Sequence, residues 1–356
     1  MSPAADRWQR GLIEALRGRG IDVEVVSYTI VPAWPKGTLA LRGAREDGSG
    51  VTVEQLGYHN LPGWRVMSLA GKRVLGGLKR RRRRARAPLA IVTYNAHPNV
   101  TLPAIALRGA VQAPWVCVIA DLHENRVSPL AAAEWLALGR ADLRVFLSAA
   151  MAEQFAKADD LHMEGGIEPP RTTGATRTGL VVYAGALTRG AGVELAIDSF
   201  GHVRGTGAQL AIYGKGDTQR IRALAARDPR IVVHGLVSGA ELAEALKSAS
   251  VLVNPRLPDL IENQRNFPSK LLEYISYAKP IVSTWTAGLT NDYRKVLHVA
   301  DADPVAFGRM IDECLALDES SLSDSRERAT KFAATRSWNA QADRLIAALA
   351  HTKSKG

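Results

Sequence analysis

NPRLPDLIENQRNFPSKLLEYISYAKPIVST, residues 254–284, reads as a strand end, a long polar loop, a helix and a strand. The apolar run Val251–Leu252–Val253 stops at Asn254–Pro255, and Pro258, Asp259 and Asn263 keep the next dozen residues out of regular structure. Pro268 suits the first turn of a helix, where its missing N–H costs nothing, and Leu271, Leu272 and Ile275 give that helix one apolar face. The N–H groups of Ser269 and Lys270 then sit at the positive end of the helix dipole with an ammonium beside them, which suits a phosphate. Glu273, one turn deeper, is placed to accept two hydrogen bonds from a ribose diol. The plainer alternative keeps Ser269 as a cap, Lys270 solvated and Glu273 on the helix surface.

Outward from this stretch, the second half of the chain alternates regularly. Strands at 180–184, 209–213, 230–234, 250–254 and 280–284 are separated by helices at 191–204, 217–227, 238–247 and 268–277, the pattern of parallel βαβ units. YAGALTRGAG, residues 183–192, puts glycines between the first strand and helix, as phosphate-cradling turns do, with Gly185 at the strand end and Arg189 as the nearby cation. YGKGD (213–217, with Gly214 and Lys215) and His234–Gly235–Leu236 end the next two strands on the same rim. Further helices are expected at 303–316 and 324–334, then an amphipathic helix from Ser337–Trp338 to Leu349.

The first half has the same grammar with more interruptions. Trp8, Leu12, Ile13 and Leu16 mark a helix over 4–18, followed by a strand at 23–27, a proline-punctuated loop, a short strand at 51–56 and a weak helix over 64–78. Apolar strands at 89–94, 115–120 and 143–148 follow. The first delivers His97 and the second Asp121 and His123 to one strand-end rim, where ligands of open parallel sheets bind. A helix runs between them from about Asn99 to Val111. Pro169 to Gly179 has linker composition. The expected domains are therefore residues 1–168, a linker at 169–179, and residues 180–337, with the helix at 338–350 returning to the first domain.

FPSKLLEY followed by KPIVST resembles the donor-binding signature of family 4 of the retaining, nucleotide-sugar-dependent glycosyltransferases, in particular their bacterial exopolysaccharide branch. Pro35 and Tyr58–His59–Asn60 fall where that branch has similar elements, and the resemblance runs from residue 2 to about 350. It implies an α/β fold of the GT-B type, two Rossmann-like domains facing across a cleft. It also implies transfer of a sugar from a nucleoside diphosphate sugar to an acceptor hydroxyl with retention. Of the family's two glutamates eight positions apart, the second matches Glu273, while the first falls on Arg265, with Glu262 three residues earlier. The Arg and Lys that clamp the diphosphate in the family's glycine-rich turn are Ala186 and Ala191 here. The resemblance assigns Pro268, Ser269, Lys270 and Glu273, with Gly185, Arg189, Gly214, Lys215, His234, Gly235 and Leu236, to the donor. From their strand-end rim, His97, Asp121 and His123 would face the acceptor hydroxyl and the sugar. No metal and no cofactor beyond the sugar nucleotide is implied, since helix N-termini and cations stabilise the leaving group in this fold. The family's opening strand lies upstream of the helix at 4–18, so codons preceding Met1 are expected to encode it.

Composition bounds the partners. The 356 residues, 46% hydrophobic, suffice for two cores. No stretch approaches the roughly 18–20 apolar residues of a membrane span, and MSPAADRWQRG lacks a signal-peptide core, so a cytoplasmic protein is expected. Cys117 and Cys314, in different halves, are expected as buried free thiols. The formal charge of +11 favours an anionic partner. KRRRRRAR, residues 79–86, holds seven of the cations, and Arg80–Arg84 are expected either to be a solvated face or to touch an anionic membrane surface. With 6% aromatic residues and no nucleic-acid module, nucleic acid is not expected. The acceptor is left among a glycan, a lipid-linked glycan and a small molecule. Two other functions stay open: an inactive nucleotide-sugar-binding subunit, suggested by Ala186, Ala191 and Arg265, and a same-fold nucleotide-sugar epimerase.

Overall fold

The computed structural model describes residues 3–48, 51–83, 88–122, 128–170 and 178–354. His123, Arg84 and the middle of the proline- and threonine-rich segment, 171–177, lie outside the described residues. The chain divides into two compact units. One comprises Met1–Leu147, Ala152–Met163 and Gln341–Gly356; the other comprises Ser148–Met151 and Glu164–Ala340. The second unit thus begins at Glu164, ahead of the segment whose composition suggests a linker, and the last helix changes unit at Gln341.

The first unit opens with α1 (Pro3–Arg17), whose buried Trp8, Leu12 and Ala15 recur at helical spacing. There follow β1 (Glu24–Ser27), β2 (Ala40–Leu41), β3 (Ala44–Gly48), β4 (Val51–Gln55), β5 (Tyr58–His59) and α2 (Trp64–Arg83). Then come β6 (Ile91–Tyr94), α3 (Pro98–Val111), β7 (Trp115–Ile119), α4 (Pro129–Arg140), β8 (Leu143–Phe146), α5 (Ala149–Phe155) and β9 (Leu161–His162). The Rossmann-like sheet is β6-β7-β8-β9, all parallel. Its central strand WVCVI is buried throughout, as a strand covered on both faces must be. The strand expected at 23–27 does not join it: β1 pairs in parallel with β4, and β3 pairs antiparallel with β4, in a separate sheet. Glu24, Thr52 and Glu54 leave these strands only half-buried, which suits a sheet with one wet face.

Two helices here exceed the sequence expectation. Ser128 caps α4 by accepting the N–H of Ala131 at 3.1 Å, with Pro129 in the first turn. The helix expected at 64–78 continues through the arginine run to Arg83. Cations in a last turn meet the negative end of the dipole, so the run finishes a helix. Arg80 leaves the solvated set altogether, since its Nη1 lies 2.6 Å from Glu54 Oε2 and its Nε 3.4 Å from Glu24.

The second unit contains β10 (Leu180–Ala184), α6 (Val193–Phe200), β11 (Gln209–Tyr213), α7 (Thr218–Ala225), β12 (Ile231–Gly235), α8 (Gly239–Ser248) and β13 (Val251–Asn254). After these come α9 (Ile261–Arg265), α10 (Lys270–Ile275), β14 (Ile281–Ser283), β15 (His298–Val299), α11 (Pro304–Leu315), α12 (Glu319–Thr335) and the start of α13 (Trp338–Ser354). Its six strands are parallel in the order β12-β11-β10-β13-β14-β15. Alternate residues of β10 feed two cores: Val182 and Ala184 pack with Leu271, Tyr274 and Ile275, while Val181 and Tyr183 pack with Ile197 and Phe200. From β10 the chain moves outward to β11 and β12, then crosses back to β13 and outward the other way. The order therefore reverses between β10 and β13, the position at which an open parallel sheet forms its ligand crevice.

Among the described residues of this unit, helix starts are capped by the side chains of Asp217, Ser238, Asp303, Asp318 and Ser337, each accepting an N–H three residues on. The Asp318 cap starts α12 at Glu319, earlier than the expected 324. Cys117 and Cys314 are free and buried, as expected, and burial pushes their thiols up to about 11 and about 12, so neither is a nucleophile at neutral pH.

His298 on β15 gives the unit a pH response. Burial, then the nearby Arg328, hold its imidazole below the ordinary 6.5, while Glu313 opposes them. A base depressed in the folded state binds more protons when unfolded, so its contribution is intact above the unfolded value and is lost as pH falls toward the folded one. His298→Asn is expected to flatten the fall of the melting temperature as pH drops below about 6.5. Equal slopes for parent and variant, followed by calorimetry, would contradict this.

Candidate functional site

The crevice at the β10/β13 reversal is built by three loops. The first, leaving β10, runs from Gly185 to Gly192. Tyr183, buried beneath it, donates its hydroxyl to Ala186 O at 2.6 Å, and Gly185 N–H donates to Tyr213 O at 3.0 Å. The second, leaving β11, crosses it: Leu187 N–H donates to Lys215 O at 2.9 Å. Gly214 has φ +154° and a Cβ there would lie 1.7 Å from Gly185 O, so only glycine lets these loops meet. The third leaves β13 and presses on the first, since a Cβ on Gly192, at φ +80°, would lie 1.7 Å from Pro255 O.

Asn263 locks the first and third loops together. It is fully buried; its Nδ2 donates to Gly190 O at 2.7 Å and Leu257 O at 2.9 Å, and its Oδ1 accepts from Arg256 Nη1 at 2.9 Å. The segment expected to be irregular thus contains the short helix α9, because Asn263 needs a fixed backbone to reach across. Arg256, which the sequence reading passed over, lies within the electrostatic reach of Tyr183, Glu262 and Tyr274, and burial lowers its guanidinium from its ordinary value. It places a positive charge beside a glycine-rich turn that carries Ala186 and Ala191. Glu262 is exposed on α9, its carboxylate against Gly190, where an added Cβ would sit 2.2 Å from Oε1.

Phe267 and Pro268 fix where α10 begins. Phe267 is buried against Tyr293 at 5.5 Å between rings, and Tyr293 in turn against Phe332 at 5.0 Å. Pro268 O accepts from Leu271 N–H at 2.9 Å and Ser269 O from Leu272 N–H at 3.3 Å, so the first turn opens at Pro268, as the sequence implies. Among the described residues no backbone carbonyl accepts the N–H of Ser269 or Lys270. At six residues, however, α10 has a small dipole, and the positive charge at its start is mainly the Lys270 ammonium. The far side of α10 is held by Tyr274, whose hydroxyl accepts from Ala184 N–H at 2.8 Å and reaches Ala184 O at 3.2 Å. α10 is thereby pinned to the end of β10. Its buried face is Leu271, Tyr274 and Ile275, with Leu272 only half-buried.

Glu273 and Lys270, expected at the ribose and the diphosphate, form an ion pair in this structure. Lys270 Nζ lies 2.7 Å from Glu273 Oε2, the pairing that i,i+3 spacing on a helix favours. Both side chains keep partial exposure, 24% and 17%, so the pair can open toward a ligand. Arg189, Lys215 and His234 are exposed on the same rim. His234 stacks on Tyr213 with 4.5 Å between ring centroids and 6° between planes, and Leu236 beyond it is 75% exposed. Gly235, at φ +77°, accepts the N–H of Gly214 at 2.7 Å and joins the third strand end to the same rim. Arg265 is half-buried at the end of α9.

In the first unit, His97 is exposed at the start of α3 and Asp121 is exposed just past β7. β6 and β7 are adjacent and parallel, with Tyr94 opposite Val118, so both residues stand at one end of that sheet. Asn95, which the sequence reading did not single out, organises this end from a left-handed conformation (φ +60°), accepting the N–H of Ala120 at 2.8 Å.

Residues 178–316 match the family model described as Glycosyl transferases group 1. No curated protein matches the chain. Among solved structures, it resembles sucrose-phosphate synthase from Thermosynechococcus elongatus at 16% identity and a TM-score of 0.69, covering 98% of this chain and 93% of that one. The catalytic domain of starch synthase IV from Arabidopsis thaliana, bound to ADP and acarbose, gives 12% identity and a TM-score of 0.68, with 99% and 97% covered. HepE from Anabaena, in complex with UDP and glucose, gives 13%, 0.64, and 94% and 100%. The chain therefore has the GT-B fold of these glycosyltransferases, and its residues 178–316 form a domain of the glycosyl transferases group 1 type.

Proposed function

We propose that this protein transfers a glycosyl group from a nucleoside diphosphate sugar to an acceptor hydroxyl, with retention at the anomeric carbon, in the assembly of an exopolysaccharide or related glycan. The observation that carries this is the crevice at the β10/β13 reversal, where the Lys270–Glu273 pair on α10 stands pinned to the end of β10 beside a glycine-rich turn. In this reading the diphosphate sits at Lys270 and the N–H groups of Ser269 and Lys270, and Glu273 exchanges Lys270 for the ribose hydroxyls. Arg256 biases the turn toward negative charge from behind, and Arg189 and Lys215 approach from solvent. Concentrated positive charge held in place before the reaction stabilises the departing nucleoside diphosphate. His97 and Asp121 serve the acceptor hydroxyl, whether on a free glycan, a lipid-linked glycan or a small molecule. The similar structures bound to UDP with glucose and to ADP with acarbose support the donor class.

The second reading, a nucleotide-sugar-binding subunit without turnover, is favoured by Ala186 and Ala191 in the glycine-rich turn and by Arg265 at the end of α9. Thermal shift against UDP, GDP, dTDP and ADP tests both at the level of binding. A nucleotide at 100 times its dissociation constant adds about 2.7 kcal/mol, which should raise the melting temperature by roughly 4 °C if the chain melts as one and roughly 7 °C if the binding unit melts alone. No shift with any of the four contradicts both readings.

A further inference from the structure

The outer stripe of α2 is exposed among the described residues. Leu69 and Arg73 are buried, Leu69 packing with Leu56 and Tyr58, and Val74 and Leu78 pack on Leu107, Val111 and Ala113 of and beyond α3. Gly77 meets α3 so closely that a Cβ would lie 2.7 Å from Leu107 Cδ1. The opposite stripe, Trp64, Met67, Gly71, Leu75, Lys79 and Arg82, follows three- and four-residue spacing and faces solvent. Trp64 is 60% exposed, Met67 64% and Leu75 60%, a set of large apolar side chains that a solvent-facing helix does not need.

This stripe continues onto the loop before the helix. Asn60 Nδ2 donates to Pro32 O at 2.7 Å and Thr38 O at 2.9 Å, Trp34 N–H donates to Asn60 O at 3.1 Å, and Arg65 Nη1 donates to Val31 O at 3.2 Å. The exposed Ile30, Trp34 and Leu39 are thereby held beside the start of α2. At the other end lie exposed Lys79, Arg82 and Arg83, and the helix has no acidic residue. An apolar stripe with Trp at one end and clustered cations at the other matches a helix lying in a bilayer interface. No helix among the described residues is long and apolar enough to cross a membrane.

We propose that α2 and the tied loop dock on an anionic lipid bilayer, with Trp64, Met67 and Leu75 entering the headgroup–acyl boundary and Lys79, Arg82 and Arg83 meeting lipid phosphates. Charge selects the lipid surface over a second copy of this chain, because α2 has no acidic residue to meet Lys79, Arg82 and Arg83, whereas anionic lipid phosphates meet them. The proposal moves the contact from the arginine run alone to the apolar stripe ahead of it, and it removes Arg80, which is held by Glu54 and Glu24.

Co-sedimentation with vesicles tests it, using equimolar phosphatidylcholine and phosphatidylglycerol against phosphatidylcholine alone. The full chain is expected to sediment with the anionic vesicles and to be released by salt. Lys79→Ser, Arg82→Ser and Arg83→Ser combined should weaken binding about 100-fold at low salt, at about five-fold per cation. Trp64→Ser, Met67→Ser and Leu75→Ser combined should abolish the salt-resistant part of binding while the protein melts as its parent does, because these side chains are outside the core. Equal sedimentation of parent and both variants overturns the proposal. So does a concentration-dependent dimer that the apolar variant dissolves, or retention of the parent on RNA or DNA with none on vesicles. Neither variant touches the donor crevice, so this result is independent of the nucleotide-binding one.

Discussion

Glu273→Gln is expected to lower affinity for the nucleotide sugar by roughly 10- to 150-fold, the loss of charge-assisted hydrogen bonds contributing about 1.5–3 kcal/mol. Glutamine keeps the size of the side chain and its place on α10, but it no longer offers a full negative charge to a ribose diol. The variant also loses the Lys270 pair, which is partly exposed and so contributes at most about 1 kcal/mol to stability. A drop of only a few degrees in melting temperature should accompany the loss of binding. Calorimetric titration with the nucleotide found by thermal shift decides it. A variant that melts close to the parent and binds as tightly excludes Glu273 from the ribose; one that melts far below the parent contradicts the surface placement of the Lys270–Glu273 pair.

Asn263→Ala should be the more damaging change to the fold. It removes the donor to Gly190 O and Leu257 O and the acceptor for Arg256, leaving a half-buried guanidinium and the buried Gly190 carbonyl without this partner. Hydrogen bonds to charged groups and the desolvation of the orphaned partners together place the cost at about 2–4 kcal/mol. For a unit of about 180 residues melting on its own that is a fall of roughly 5–10 °C in melting temperature. Because Asn263 also joins the two loops of the crevice, nucleotide affinity should fall in whatever fraction remains folded. A melting temperature within about a degree of the parent would mean that the loops do not depend on this side chain.

The comparison of these two residues shows what a sequence discloses and what it conceals. The place of Glu273 on a helix was legible because its information is local: Pro268 opens the helix and apolar residues orient it. The strands of the second unit were legible for the same reason, since each apolar run and its following cap or glycine lie within a few residues. Asn263 was not, because its partner Gly190 is 73 residues away and nothing near Asn263 marks it as buried. Arg256 was hidden too, since an arginine after a strand reads as solvated until the loops fold over it. The Lys270–Glu273 pair follows from i,i+3 spacing on α10. In the first unit, half-buried strands such as β1 and β4 carry weak patterns, and their separate sheet is a tertiary choice. The arginine run was visible, but its place at the end of a helix, and the pairing of Arg80 with Glu54, were not.

Phosphorus NMR of purified protein mixed with the sugar nucleotide of the base that thermal shift selects tests the central claim most directly. The account predicts that the diphosphate resonances of the sugar nucleotide are replaced by those of the free nucleoside diphosphate, faster when an acceptor is present and far more slowly with Glu273→Gln. Nucleotide bound at the crevice, with no nucleoside diphosphate released above the protein-free rate from any sugar nucleotide of that base, would contradict it.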